Sequence, residues 1–500
     1  MAATGQGFST SARSFEITRR LSAFDAQFLA AESETMPCHY MGIATFAPDA
    51  DGNPLTAERV KAHLASRIDM VPPLRLRIRQ VPLGLDHPWA VDGPVDLDQH
   101  ILTRTIAAPG GPRELAAAAE DIMRGTMDRS RPLWEFHVMD GLADGRVAVG
   151  MKFHHACADA LGASATMAFI LDPVPTGRRG LPAPVPSEDV PDVRRLAWRG
   201  AVRTMSHPVR AARAATNAVP HLDQVPMMRT LPGARIAARG SRALQRRLGR
   251  DAAEPDGFPQ APRTRFNGPL TPDRRIAFGH VDVSVVRDLK TAHGVSFNDV
   301  VVAAVAGGLR RRLEAGEELP EEPLLAFVPA NLRAGDDSNR GGNAISSFVV
   351  PIPTDLPDPR QRVQEASVAM RRAKQRHALT PPTLMEDAND LVPPMVFGPF
   401  AGGIMKLLGS GRVKLPLNLL LSNVPGPPVR MYLDGAPMET FRPMSLVFPG
   451  AALNVTVISY DTRLEIGVIG DRSLVPDAWE LLEDIEAEFA DLAAALQPAA

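Results

Sequence analysis

Proline crowds one internal segment of this chain and divides the chain into parts. Six prolines lie in this segment, namely Pro173, Pro175, Pro182, Pro184, Pro186 and Pro191. Because proline fixes its own φ angle and donates no backbone hydrogen bond, the segment cannot form a regular helix or a central strand. Its composition is typical of an extended connector. The sequence therefore predicts a domain boundary at this point.

A strongly basic segment follows the connector. Residues 193–250 contain thirteen arginines and a single acidic residue, Asp223. A second proline-bearing stretch, residues 255–272, ends this region. Mixed helical and strand patterns precede the Pro-rich connector and follow this second stretch. We therefore predict three parts: an N-terminal lobe at residues 1–172, a Pro-rich and Arg-rich crossover at residues 173–262 and a C-terminal lobe at residues 263–500.

The composition is that of an ordinary globular protein. Of the 500 residues, 45% are hydrophobic, and 55 Lys and Arg nearly balance 57 Asp and Glu. A net charge of −2 does not favour nucleic acid as a partner. The N-terminus has no apolar run of the length of a signal peptide core, and no apolar run in the chain has the length of a membrane span. The two cysteines, Cys38 and Cys157, favour a reducing compartment, and we expect a cytoplasmic protein.

The most informative segment is predicted to be an antiparallel hairpin that ends on two histidines. Apolar and polar residues alternate over residues 134–138 and again over residues 147–153, with a glycine-bounded turn at residues 141–145. Because side chains alternate along a strand, His155 continues the face of the apolar residues, whereas His154 points to the opposite face. The sequence therefore predicts that the two rings lie in different surroundings.

A helix is predicted to begin shortly after the histidines. Apolar residues recur at helical spacing from Ala163 to Leu171, which places Asp159 near a helix N-terminus, where a carboxylate is favoured. An imidazole with its usual pKa of about 6.5 can take a proton from an alcohol and return it to a leaving group. His155 is therefore a candidate general base. Taken alone, an inward histidine is also compatible with a core residue.

Two other kinds of site are disfavoured by the same segment. A metal site formed by His154, His155 and Cys157 is disfavoured because adjacent histidines on a strand face opposite sides. A hydrolase is disfavoured because the chain has no G-x-S-x-G nucleophile motif and Cys157 has no assignable base.

Several motifs occur in the order typical of one family. The segment His154–Ala160 resembles the HHxxxDG motif of the bacterial wax ester synthase/diacylglycerol acyltransferase family, which is similar in fold to chloramphenicol acetyltransferase. The other segments that resemble family motifs are Leu21–Ser22 with Asp25, Arg131–Trp134, Phe266–Pro269, Arg274–Arg275, Ser296–Asp299, Pro329–Arg333, Gly342–Asn343 and Asn423–Pro427. The resemblance therefore covers nearly the whole chain.

The resemblance implies a fold and a function. The implied fold is α/β, two-lobed and like chloramphenicol acetyltransferase and other CoA-dependent acyltransferases, with the active site in a tunnel between the lobes. The implied reaction moves a long-chain acyl group from acyl-CoA to diacylglycerol or a long-chain alcohol, without a further cofactor or an acyl-enzyme. The site residues implied are His155 as general base, its neighbour His154, and Asp159, which would pair with an arginine and fix the loop.

The C-terminal motifs add one candidate and two structural expectations. Ser296 and Asp299 predict a helix capping box, and Asn298 beside them is a candidate donor to the carbonyl oxygen as it gains negative charge. Pro425 and Gly426 fit the central positions of a type II turn.

Two further expectations concern activity and attachment. Ala160 stands where the family motif has glycine, which leaves a catalytically weakened protein that binds lipid or acyl-CoA as the alternative function. In the crossover, an apolar stripe beside the arginines is predicted to end before Pro208. This stripe consists of Val193, Leu196, Ala197, Ala201 and Met205. Because basic amphipathic segments bind anionic lipid, we expect peripheral attachment to a membrane or lipid inclusion.

Overall fold

The computed structural model describes residues 18–157, 166–177, 184–223, 233–249, 260–330, 346–378, 384, 387, 391–410 and 417–495. Their strands are β1 (Arg19–Arg20), β2 (His39–Phe46), β3 (Arg77–Arg79), β4 (Trp89–Val91), β5 (Ile101–Thr105), β6 (Trp134–Asp140), β7 (Val147–His154), β8 (Arg274–Asp282), β9 (Leu324–Ala330), β10 (Ser346–Ile352), β11 (Leu419–Pro425), β12 (Tyr432–Leu433), β13 (Ala436–Met444), β14 (Leu453–Tyr460) and β15 (Arg463–Asp471). Their α-helices are α1 (Ala23–Ala31), α2 (Ala57–Ala65), α3 (Pro112–Met123), α4 (Val193–Ala218), α5 (Ala234–Arg247), α6 (Val283–His293), α7 (Phe297–Ala315), α8 (Pro359–Ala378), α9 (Pro394–Gly409) and α10 (Ala478–Ala494). Within these ranges no single helix is long and apolar enough to cross a membrane, and α6 and α7 meet both conditions only when taken together, as a pair bent by 105°.

The sheet of the N-terminal lobe carries the histidines at the end of one strand. Its six strands have the order β12-β13-β2-β7-β6-β5, and β6 and β7 form the predicted antiparallel hairpin, with Trp134 opposite Phe153. Gly141 and Gly145 turn the chain between them with φ angles of 86° and 74°, which favour glycine. The hairpin prediction is therefore confirmed.

The C-terminal lobe has its own six-stranded sheet, in the order β10-β9-β11-β14-β15-β8. Strands β12 and β13 leave this half of the chain and complete the N-terminal sheet, where Met444 lies opposite Met41 of β2. This addition of two strands ties the lobes together, because the lobes cannot separate without breaking backbone hydrogen bonds of the N-terminal sheet. The sheets and the helices packed on them confirm the predicted two-lobed α/β fold.

Helix α7 lies at the centre of the C-terminal lobe. Every residue from Val300 to Ala306 is fully buried. Gly307 and Gly308 follow, and a β-carbon at Gly308 would lie only 2.8 Å from backbone atoms of Ile485 in α10. The glycines therefore allow two helices to pack closely. This packing fixes the first turn of α7, where Asn298 lies.

The two lobes share one apolar core. Met41 and Ile43 of β2 pack in the same cluster as Ile276 and Phe278 of β8. At the edge of this cluster, Oε1 of Glu120 in α3 accepts a hydrogen bond from the backbone N–H of Ile276 at 3.0 Å. Because apolar burial stabilises both lobes through the same residues, their relative position is part of the fold.

The basic crossover differs from its predicted form in two ways. Helix α4 does not end before Pro208 but continues through it, because buried His207 and Ala214 keep the same face of the helix packed on both sides of the proline. The predicted apolar stripe is also divided, since Leu196 is buried whereas Met205 is 81% exposed. Helix α4 therefore has two apolar faces rather than one.

Candidate active site

Strand β7 ends on His154, and the next residue, His155, lies in a turn. The two rings have different neighbours, as the alternation of side chains predicts. The ring of His154 meets Glu32, while the ring of His155 lies against Phe28 and Tyr40. The end of this strand therefore offers two distinct environments to two identical side chains.

Hydrogen bonds hold the His154 ring at both nitrogens. Its Nδ1 accepts from the backbone N–H of Ala156 at 3.0 Å, so the ring proton lies on Nε2, which is 3.1 Å from Oε1 of Glu32. The side chains of His154 and Glu32 are only 1% and 3% exposed, and Arg129 binds the other oxygen of Glu32. Burial raises the pKa of Glu32, but the hydrogen bonds from His154 and Arg129 outweigh it and lower this pKa below its usual value.

His155 lies instead among aromatic rings. Its ring stacks on Phe28, with centroids 4.9 Å apart and an interplanar angle of 19°, and meets Tyr40 edge-on at the same centroid distance. Its backbone N–H donates to the carbonyl of Cys38 at 2.9 Å. Burial, together with the nearby His154, lowers the pKa of His155 to about 3. The imidazole is therefore neutral at neutral pH, the state that can accept a proton.

Helix α1 and the residue after it reach both histidines. Phe28 and Glu32 are four residues apart, a spacing that places helical neighbours on one face. The helix begins with a capping box, in which Oγ of Ser22 accepts from the backbone N–H of Asp25 at 2.9 Å. The motif at the start of the chain's N-terminal lobe is therefore structural, because it fixes the helix that supports both rings.

Sequence reasoning missed Phe28, Glu32 and Tyr40 as site residues. The only local signal is the capping box followed by the Phe28 and Glu32 spacing, and it does not indicate a contact with His154, 122 residues later in the chain. Pairing of β2 with β7, which sets His39 opposite His154, creates the contact.

The segment Arg131–Trp134 supports the strand that carries the histidines. The carbonyl of Leu133 accepts from the backbone N–H of His154 at 3.0 Å. The indole Nε1 of Trp134 donates to the carbonyl of Leu74 at 2.8 Å, and Trp134 is only 2% exposed. Trp134 therefore packs in the core and anchors the hairpin on which the histidines lie.

The first turn of α7 joins two motifs of the C-terminal half. Nδ2 of Asn423 donates to Oδ1 of Asn298 at 3.2 Å. Because this oxygen is an acceptor, the amide nitrogen of Asn298 supplies donors to other groups. Asp299 forms the predicted capping box with Ser296, accepting from its backbone N–H at 2.9 Å. The structural role of Asp299 is therefore confirmed.

The predicted type II turn at Pro425 and Gly426 is wrong. Strand β11 extends through Pro425, and Gly426 does not have the positive φ angle that this turn requires. A β-carbon at Gly426 would instead collide with the carbonyl oxygen of Ser459. Glycine is needed there because strand β14 passes close to the backbone.

Some predicted residues lie outside the described ranges. They include Asp159, Ala160, Asn331, Arg333 and Asn343, so the role of Asp159 stays a prediction. Cys157 is described, and burial raises its pKa to about 12, which keeps the thiol protonated. Within the described ranges, no group of three or more His, Cys, Asp or Glu side chains is arranged to hold a metal ion.

Comparison with known proteins identifies relatives along almost the whole chain. Residues 21–301 match the model of the wax ester synthase/diacylglycerol acyltransferase catalytic domain, and residues 341–493 match that of the WS/DGAT C-terminal domain. A Mycobacterium tuberculosis protein that carries the name diacylglycerol O-acyltransferase is 33% identical over 465 residues, covering 92% of this chain and 87% of the relative. Another protein of that name and species is 30% identical over 471 residues, covering 94% and 97%.

Solved structures share the two-lobed fold. The wax ester synthase/diacylglycerol acyltransferase from Marinobacter aquaeolei VT8 has a TM-score of 0.64 at 25% identity, covering 96% of this chain and all of that one. The starter condensation domain of rhizomide synthetase, solved as a mutant with C8-CoA and Leu-SNAC, has a TM-score of 0.53 at 15% identity, covering 97% and 95%. These similarities confirm the predicted fold of the CoA-dependent acyltransferases. The chain belongs to the wax ester synthase/diacylglycerol acyltransferase family and is an acyltransferase.

Proposed function

We propose that this acyltransferase moves a long-chain acyl group from acyl-CoA to the hydroxyl of diacylglycerol or of a long-chain alcohol. The observation that carries the proposal is the neutral, aromatic-lined imidazole of His155 at the end of β7, beside a His154 held by other partners. The names of the relatives support this substrate class. No further cofactor is needed, because the thioester of acyl-CoA is already an activated acyl group.

His155 is the general base of the proposed reaction. It takes the proton of the acceptor hydroxyl as the oxygen attacks the thioester carbonyl, and it then returns this proton to the departing CoA thiolate. The O–H and C–S bonds break while the ester C–O and the CoA S–H bonds form, so no acyl-enzyme occurs. Burial of His155 disfavours the imidazolium, which promotes the return of the proton but makes its first transfer harder.

Two other residues have supporting roles in the proposed reaction. The negative charge on the carbonyl oxygen needs a donor, and we assign this role to the amide nitrogen of Asn298, whose own oxygen is occupied by Asn423. Asp159 pairs with an arginine and holds the loop after His155. The reacting groups meet in a tunnel between the lobes.

Release of free CoA from palmitoyl-CoA tests the proposal. Purified protein is assayed with diacylglycerol, with hexadecanol and without an acceptor, and the lipid product is separated by chromatography. We expect CoA release and ester formation only when an acceptor is present, and their loss in a folded His155→Ala variant. Equal CoA release without an acceptor would indicate thioester hydrolysis and overturn the proposal.

A weakened protein that binds lipid or acyl-CoA is the second candidate function. It is favoured by Ala160, which occupies the glycine position of the family motif. If the wild type binds palmitoyl-CoA but turns it over slowly, an Ala160→Gly variant should gain turnover. Similar turnover in both proteins supports the enzymatic function of the natural sequence.

We place the reaction in the cytoplasm, at the surface of a membrane or lipid inclusion. Diacylglycerol, long-chain alcohols and their esters are insoluble in water, so an enzyme that acts on them must reach a lipid phase. The thirteen arginines of residues 193–250 give the crossover a positive charge suited to anionic lipid.

A further inference from the structure

Helix α4 presents a row of large apolar side chains to solvent. Trp198, Val202, Met205 and Val209 are 72%, 48%, 81% and 58% exposed. Their spacing of four, three and four residues places all of them on one face of the helix. We call these four residues the outer stripe.

The packing face of the same helix lies on the other side. Its buried residues are Leu196, Gly200, His207, Ala214 and Ala218. At 3.6 residues per turn, Gly200 and His207 point almost directly away from the outer stripe. The outer stripe is therefore a second apolar face, against which the described residues of the chain do not pack. Isolated exposed apolar residues are common in proteins, but an ordered row of four marks an interaction surface.

Exposed arginines border the outer stripe on both sides. Arg194 lies along one edge, and Arg195, Arg199 and Arg213 lie along the other. No acidic residue occurs in α4. A surface with an apolar centre and an arginine-rich border is complementary to anionic headgroups above an acyl-chain layer. Tryptophan at its centre is the side chain most suited to the boundary between these two layers.

We propose that the outer stripe and its arginines dock this protein on an anionic lipid surface. This inference rests on the proposed function, because it supplies the lipid phase from which a water-insoluble acceptor is drawn. The proposed partner is a bilayer or lipid monolayer, because the positive charge of the border complements its anionic headgroups. A second copy of this chain would bring like-charged borders together, which is unfavourable.

The packing face of α4 connects this helix to the candidate active site through packed elements. Oγ1 of Thr204 in α4 donates to the carbonyl of Leu85 at 2.7 Å, beside the 3-10 helix Pro82–Gly84. A β-carbon at Gly84 would lie 3.5 Å from Met395, the second residue of α9. Helix α9 in turn packs on α1, which presents Phe28 to His155.

Helix α9 extends the apolar character of this side of the molecule. Met395, Val396 and Phe400 are exposed, while Phe397 and Ala401 face the protein. Helix α9 is thus a partly exposed apolar helix that contacts α1, the element that presents Phe28 to His155.

Vesicle binding of the full chain without substrates tests the proposal. The probes are phosphatidylcholine vesicles with and without phosphatidylglycerol, and binding is measured by co-sedimentation and by tryptophan emission. We expect binding that requires phosphatidylglycerol, weakens between 0.1 and 1 M salt, and shifts the tryptophan emission to the blue. The shift should be lost in a Trp198→Phe variant, because Trp198 is the strongly exposed tryptophan.

A matched pair of variants separates the outer stripe from general surface effects. Val202→Glu with Met205→Glu places two charges in the stripe and should weaken vesicle binding by about tenfold or more. Val429→Glu, at a residue that is 50% exposed outside the crossover, should bind like the wild type. Both proteins should retain CoA release with soluble short-chain substrates in the absence of vesicles.

Three outcomes would overturn the proposal. They are unchanged vesicle binding by the double variant, binding that ignores phosphatidylglycerol, and a change of oligomeric state in the double variant, which would identify a second copy as the partner. A His155→Ala variant should bind vesicles normally while lacking acyl transfer. Failure of the docking proposal and failure of the proposed reaction are thus distinguishable.

Discussion

His154 and His155, at the end of β7, are identical side chains in different surroundings, and these surroundings suit them to different roles. On one side, His154 is locked by the backbone of Ala156 and by Glu32, with both ring nitrogens engaged. On the other side, His155 lies against the rings of Phe28 and Tyr40. The His154 ring, with hydrogen bonds at both nitrogens, holds the turn. The His155 ring, among aromatic side chains, stays neutral and in that state can accept a proton.

The two sides also depend on each other. Hydrogen bonds of His154 fix the backbone from which His155 projects. Glu32 directly follows α1, and its backbone N–H donates to the carbonyl of Phe28 at 3.1 Å. A substitution at His154 or Glu32 is therefore expected to affect the surroundings of His155 as well, through the turn and through α1. The following experiments test how far the division of roles holds.

The largest expected effect is the loss of acyl transfer in His155→Ala. Removing a general base lowers the rate by about 10²- to 10⁴-fold, so kcat should fall by this factor while the melting temperature changes little. His154→Ala should retain much more activity, because the proposed proton transfer uses the ring of His155. Equal losses of kcat in two folded variants would contradict the division.

The next largest effect is expected on stability, in Glu32→Ala. This change leaves the Nε2–H of His154 buried without its acceptor, which costs about 1 to 3 kcal/mol of unfolding free energy in urea denaturation. Glu34→Ala, at an exposed glutamate two residues later, is the matched control and should change stability by less than about 0.5 kcal/mol. Partial recovery in Glu32→Gln, whose amide oxygen can accept from His154, would show that the hydrogen bond is responsible. Equal stability of the two alanine variants would refute this assignment.

A smaller effect is expected on the pH dependence of stability. The pKa of His155 is lowered from 6.5 to about 3 in the folded protein, so below pH 6.5 the unfolded chain binds a proton that the folded chain does not. Above pH 6.5 the ring is neutral in both states, and the free-energy penalty for keeping it neutral in the folded protein grows as the pH falls from 6.5 towards 3. Between pH 7 and pH 5 we expect a loss of about 1 to 2 kcal/mol from this group. Urea denaturation at both pH values should show a smaller loss in His155→Ala, and identical losses would argue against a buried neutral ring.

Local patterns were sufficient to predict much of this region. Alternation of apolar residues predicted the hairpin and the different surroundings of the two rings, and the Ser296 and Asp299 spacing predicted the cap of α7. These features depend on residues that are close in sequence, so their periodicity records them directly. The family motifs added the fold.

Features that depend on distant parts of the chain were not predictable. The entry of β13 into the N-terminal sheet, the contact of Glu32 with His154 and the two apolar faces of α4 all follow from tertiary packing. The glycine at position 426 shows the same point, because a turn and a close approach of two strands both select glycine. Sequence alone does not distinguish these two causes.

The smallest expected effect, and the sharpest test of the aromatic side, is a change in the pH profile of Phe28→Leu. Leucine keeps the apolar packing of α1 but removes the ring that stacks on His155 at 4.9 Å, so water gains access to the imidazole. Burial is the main cause of the low pKa, and relief of burial should move the acid limb of kcat upward by about one pH unit or less, towards the usual value near 6.5. Phe24→Leu removes a ring of the same helix that contacts Phe28 edge-on, and it should leave the acid limb in place. A Phe28→Leu enzyme with an unshifted acid limb and unchanged kcat at pH 7.5 would mean that the aromatic rings only fill space, and that the protein keeps His155 neutral by other groups.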